Sequence, residues 1–176
     1  MNRTPLLWAL AALPTLSPAL AADAPAADAP TKRLAYFVGR WTESGESRAD
    51  QNTEFGKLSG SETCEWQAGN TAVHCRETTT DASGKIDASY LIGYDPVNKV
   101  YAVRGFDSTG MSLTATGTIE NDRWTWIGLS NSPAGSMSMR FTFDLAHTPG
   151  RSMTVEFADR DGKWVKAATV QYSKAK

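Results

Sequence analysis

The stretch TCEWQAGNTAVHC, Thr63 to Cys75, decides how the rest of the chain is read. Gly69-Asn70 is a pair in which both residues tolerate positive φ, so it reads as a two-residue hairpin turn. Counting outward, Ala68 faces Thr71, Trp66 faces Val73 and Cys64 faces Cys75. Side chains alternate between the faces of a strand, so Cys64, Cys75, Trp66 and Val73 share one face while Glu65 and His74 share the other. Two opposed cysteines predict a disulfide Cys64–Cys75. A plain two-residue hairpin would make them a hydrogen-bonded pair, the wider kind, which a bulge would correct.

Beyond Cys75 the turn signals recur: DASGK (81–85), YDPVNK (94–99), DSTGM (107–111), END (120–122), NSPAGS (131–136), HTPGR (147–151) and DRDGK (159–163). Between them lie short runs rich in Thr, Val, Tyr, Trp and Phe, which predict strands. The fold class expected is all-β: an antiparallel up-and-down barrel of about ten strands, closed because closure removes the edges. Thr31 to Val38 reads as a short helix, capped by Thr31, with Leu34, Phe37 and Val38 on one side. The first strand starts at Gly39-Arg40-Trp41; Glu43 to Thr53 is polar and reads as a strand end or a loop.

Carrying the faces through the turns gives a register. With Gly84 and Asn98 as left-handed loop residues, Cys75 faces Leu91, Val73 faces Gly93, Gly93 faces Tyr101 and Leu91 faces Val103. Gly110 then pairs Gly105 with Leu113 and Val103 with Ala115, and Asn121-Asp122 pairs Ile119 with Trp124 and Gly117 with Trp126. The inner face so traced is apolar nearly throughout, with Gly93 and Gly117 covered by Tyr101 and Trp126. Met137, Met139, Phe141 and Phe143 alternate cleanly further on; Trp164 to Tyr172 is apolar on both faces and has no evident orientation.

The N-terminus resembles an export signal: Arg3, then the apolar run Leu6 to Leu13, then Ala19-Leu20-Ala21 as a cleavage site. The domain layout expected is a signal peptide over 1–21, a spacer over 22–30 and one barrel domain over 31–176, in a periplasmic or secreted protein. The apolar run is too short for a transmembrane segment. The formal charge is 18 − 19 = −1, and there is no basic run or stripe, which argues against nucleic acid.

A short helix running into Gly39-Arg40-Trp41 resembles the lipocalin and wider calycin pattern. The run CEWQAGNTAVHC, the GYDP turn (Gly93 to Pro96) with Lys99-Val100-Tyr101, the FDSTG turn (Phe106 to Gly110) and DRWTW (Asp122 to Trp126) are similar to an exported bacterial family of unknown function, number 1579. That resemblance implies a lipocalin-like barrel with no established activity. Calycins bind small apolar molecules, and their nitrobindin-like branch binds haem through a histidine. Here Trp41 is followed by TESGES rather than the nitrobindin-like glycine pattern. The last strand offers Gln171-Tyr172 without the arginine of the fatty-acid clamp. Neither ligand carries over.

The inner residues Trp66, Tyr101, Trp124, Trp126, Met139, Phe141 and Phe143 are the candidate ligand-binding set, for a small apolar molecule with Tyr101 as its polar contact. The alternative is a packed interior and an interaction module, or a homodimer, working through an outer stripe of Tyr90, Ile92, Tyr94, Val100 and Phe106. Arg104 is placed outside. His74 points outward and His147 lies in a loop, so no metal ligand is assigned. No nucleophile elbow, no Cys–His pair and no close pair of inward carboxylates is expected; no catalytic residue and no cofactor is assigned.

Overall fold

A computed structural model describes residues 30–175 apart from 68 and 147–149. The expected signal peptide, nearly all of the spacer and His147 lie outside the described residues. Helix α1 (Pro30–Arg33) continues into a 3₁₀ turn, Leu34–Tyr36. Ten strands follow: β1 (Gly39–Ser47), β2 (Gly56–Trp66), β3 (Ala72–Asp81), β4 (Gly84–Asp95), β5 (Val100–Asp107), β6 (Ser112–Glu120), β7 (Arg123–Ser132), β8 (Gly135–Asp144), β9 (Arg151–Ala158) and β10 (Trp164–Lys174). Each pairs antiparallel with its sequence neighbours, and β1 pairs with β10 to close the barrel.

The β2–β3 hairpin is present, with Cys64 opposite Cys75 and Trp66 opposite Val73, and the cysteines form a disulfide. Its turn is longer than expected. The ladder ends with Gln67 N–H donating to Ala72 O, short of the pair expected next to the turn. That changes the parity of the hydrogen bonds without changing the register. It makes 64/75 a close pair, with Cα atoms 4.1 Å apart, so no bulge is needed.

Strand β4 turns the opposite face inward from the one its turn residues suggest. The β3–β4 turn has only two residues between Asp81 and Gly84, so Cys75 faces Tyr90 and Val73 faces Ile92. The β4–β5 loop holds four residues, with Lys99 rather than Asn98 left-handed, so Tyr94 faces Tyr101 and Ile92 faces Val103. Each end of β4 slips by one residue and the slips cancel. The later pairs Gly105–Leu113, Val103–Ala115, Gly117–Trp126 and Ile119–Trp124 stand as read. Tyr90, Ile92 and Tyr94 therefore share the inner side of β4, Leu91 is exposed, and the expected outer stripe is reduced to Phe106 and the half-buried Val100.

β10 has apolar residues on both faces for a definite reason. A bulge between Lys166 and Ala168 switches the alternation, so Val165 pairs with buried Phe157 while Ala168, Val170 and Tyr172 are buried further along. At the β1 end the helical segment closes the barrel. Leu34 and Phe37 are buried there, and the Phe37 ring lies 4.9 Å from Trp124 and 5.4 Å from Phe143. Trp41 Nε1–H donates to Phe37 O at 2.9 Å, tying the segment to the first strand. Thr31 sits inside α1 rather than capping it.

Candidate functional site

Strand alternation carries three glutamates into the barrel. Glu43 follows Trp41 by two residues on β1, Glu62 precedes Cys64 by two on β2, and Glu77 follows Cys75 by two on β3. The expectation of no inward carboxylate pair is thereby overturned. Glu43 and Glu62 are 5% and 2% exposed, and Glu77 is half-buried against a cavity. Gly60 makes the room: a Cβ there would stand 2.8 Å from Glu43 Oε2 and 2.6 Å from Thr78 O.

One charge is compensated. Arg151, the first residue of β9, is 2% exposed; its guanidinium pairs with Glu62, and Tyr90 O–H donates to the same carboxylate. The guanidinium also lies 4.2 Å from the Trp41 ring centroid and 4.3 Å from that of Tyr172, its cross-strand neighbour. An arginine and a tyrosine thus meet across two strands, although the last strand carries no arginine of its own.

Among the described residues Glu43 and Glu77 have no such cation. Burial pushes the Glu43 carboxyl up to about 9, helped by the charges of Glu77 and Glu62. Burial and Glu62 push Glu77 to about 7. With both groups ionised, neither oxygen of Glu43 has a donor. A proton on Glu43, donated to Glu77, satisfies the pair and leaves one negative charge between them. Tyr90 and Tyr172 are held well above the usual phenol range by burial and by the neighbouring glutamates, so both remain O–H donors. Such a pair can exchange a proton with a group placed beside it.

The cluster forms the polar side of a cavity of about 200 Å³. The cavity runs from Phe37 and Trp126 beneath the helical plug to Phe106, Asp107 and Met111 beside the β5–β6 turn. Its walls are mostly apolar, and Glu77, Tyr90, Tyr172 and Ser130 supply polar groups. Of the predicted binding set, Trp126, Met139, Phe141 and Phe143 line it. Trp66, Tyr101 and Trp124 do not. Trp124 is fully buried against Phe37, and Tyr101 O–H donates to Pro30 O at 3.1 Å, so it anchors the plug. Trp126 lies over Gly117, where a Cβ would come within 2.6 Å of the indole; Gly93 is not covered by Tyr101.

A family of unknown function, described as "Protein of unknown function (DUF1579)", matches residues 27–174. The chain belongs to the DUF1579 family. This DUF1579 chain is similar in fold to the crystal structure of Rv2717c from M. tuberculosis, with a TM-score of 0.59 at 11% identity over 84% of this chain and 99% of that one. A de novo designed fluorescence-activating β-barrel aligns at a TM-score of 0.41 and 15% identity, over 80% and 94% of the two chains. No curated protein matches the sequence. The family motifs fall where the barrel turns. In GYDP, Asp95 Oδ1 accepts from the N–H groups of Val97 and Asn98; in FDSTG, Asp107 Oδ1 accepts from those of Thr109 and Met111. Among the described residues no helix is long and apolar enough to cross a membrane.

Proposed function

We propose that this DUF1579 protein binds a small, largely apolar molecule inside its barrel, and that it does so in the periplasm or outside the cell. The observation that carries the reading is the cavity, walled by Trp126, Phe141, Phe143, Met139 and Met153 and reached from the end opposite the helical plug. Aromatic and thioether side chains with a few convergent polar groups are the usual make-up of a ligand pocket. The volume of about 200 Å³ is below that of a drug-sized site, so a single ring or a short chain is the guest that fits. A disulfide suits an oxidising compartment, in keeping with the export signal read at the N-terminus.

Titration of tryptophan fluorescence with neutral guests of increasing size tests the reading. Single-ring alcohols are expected to saturate, and multi-ring or long-chain guests to bind more weakly. Failure of every small guest, neutral or charged, to saturate below about 1 mM, an affinity that ~4 kcal/mol provides, would remove it.

A further inference from the structure

Among the described residues that line the cavity only two carry charge, and both are acids: Glu77 in its depth and Asp107 at its rim. Asp107 is occupied, its Oδ1 accepting from the N–H groups of Thr109 and Met111 and from Thr109 Oγ1. Arg151 stands behind the wall rather than in it and is paired with Glu62. The groups facing Glu77 are Glu43 from β1, Glu62 from β2, Tyr90 from β4, Arg151 from β9 and Tyr172 from β10, so three carboxyls share one guanidinium. Other polar groups are left without partners. Among the described residues Trp126 Nε1–H and Arg151 Nε and Nη1 have no acceptor, and Glu43 has no donor other than a proton shared with Glu77; Arg151 does not line the cavity, and Trp126 offers a cation its ring face rather than its N–H. Tyr172 O–H has only the Met153 sulfur, at 3.9 Å.

We infer that the ligand is a small organic cation, a primary amine on a single-ring or short apolar body, whose ammonium group donates to Glu77 and Tyr172 while its body lies against Trp126, Phe141 and Met139. This rests on the binding reading above and narrows its ligand class. An ammonium supplies the positive charge that the Glu43–Glu77 pair lacks, and aromatic faces favour a cation nearby. A carboxylate guest would add a fourth acid to a site whose one arginine stands behind the wall, with Nη2 on Glu62. Because the amine needs Glu77 ionised, and Glu77 titrates near 7, its affinity rises by about tenfold from pH 6 to pH 8 as the competent fraction grows.

Three probes of one shape test this by calorimetry: 2-phenylethylamine, 2-phenylethanol and 3-phenylpropionate. With the wild-type protein at pH 8 the amine should bind at least tenfold more tightly than the alcohol, and the carboxylate most weakly. The amine-to-alcohol ratio should shrink about tenfold at pH 6. In Glu77→Gln the ratio should approach one. An alcohol or carboxylate that binds as tightly as the amine, a ratio indifferent to pH, or one that survives in folded Glu77→Gln, overturns the cation assignment while leaving the cavity reading intact. Absence of binding by all three overturns both. The wild-type ratio and its pH dependence decide the matter even if the variant does not fold.

Discussion

Replacing Glu43 with glutamine tests whether the buried pair holds a proton at neutral pH. Glu43 is 5% exposed, and burial with two acidic neighbours raises it to about 9, while Glu77 stands near 7. In the unfolded chain both protons leave near pH 4 to 5. Above that range the folded state binds more protons than the unfolded one, so stability falls as pH rises; below it both states are protonated and the penalty vanishes. Between the two folded values, 9 − 7 = 2 pH units, only the Glu43 proton remains at stake. One proton costs about 1.4 kcal/mol per pH unit, so the wild type should lose ~3 kcal/mol between pH 7 and pH 9. Glutamine keeps the shape, donates Nε2–H to Glu77 and does not titrate. Urea unfolding with the disulfide intact, at pH 6, 7, 8 and 9, should show the wild-type midpoint falling and the Glu43→Gln midpoint nearly level. The variant should be the more stable protein at pH 9. A wild type whose stability is constant or rises over that range, or a variant that falls in parallel, refutes the shared proton.

Two further substitutions probe the wall. Trp126→Ala removes a 3%-exposed indole stacked 5.4 Å from Trp124 and should cost ~3–5 kcal/mol, whereas Arg104→Ala, exposed on the opposite face of the sheet, should stay within ~0.5 kcal/mol. Urea midpoints that reverse this order would mean the inner face is misassigned. Arg151→Met leaves Glu62 charged and unpaired in the barrel and should cost ~3–5 kcal/mol, with part recovered in Arg151→Met/Glu62→Gln; a single variant as stable as wild type would show the ion pair to be dispensable.

Much of the barrel was legible because alternation and turn chemistry are local. Asn121-Asp122 has positive φ at both residues, as its dipeptide predicts, and Gly110 is left-handed, so the faces of β5, β6 and β7 follow from a few residues each. The same alternation, carried two residues past Trp41, Cys64 and Cys75, places Glu43, Glu62 and Glu77 inside. That signal was present and ran against the rule that charge stays out of an apolar core.

By itself the sequence determined an antiparallel meander with a short N-terminal helix, a disulfide and a mostly apolar face, since each depends on residues near one another along the chain. Whether β4 turned Tyr90 or Leu91 inward depended on loops one residue shorter or longer, a difference that dipeptide preferences do not resolve. The acidic cluster required tertiary structure altogether. Glu62 meets the arginine that makes its burial tolerable 89 residues further on, at a position that reads as the end of a turn, and Tyr172 joins them only because a bulge re-aims the last strand. A buried charge is stabilised by what surrounds it in space, and strand closure alone brings those partners together.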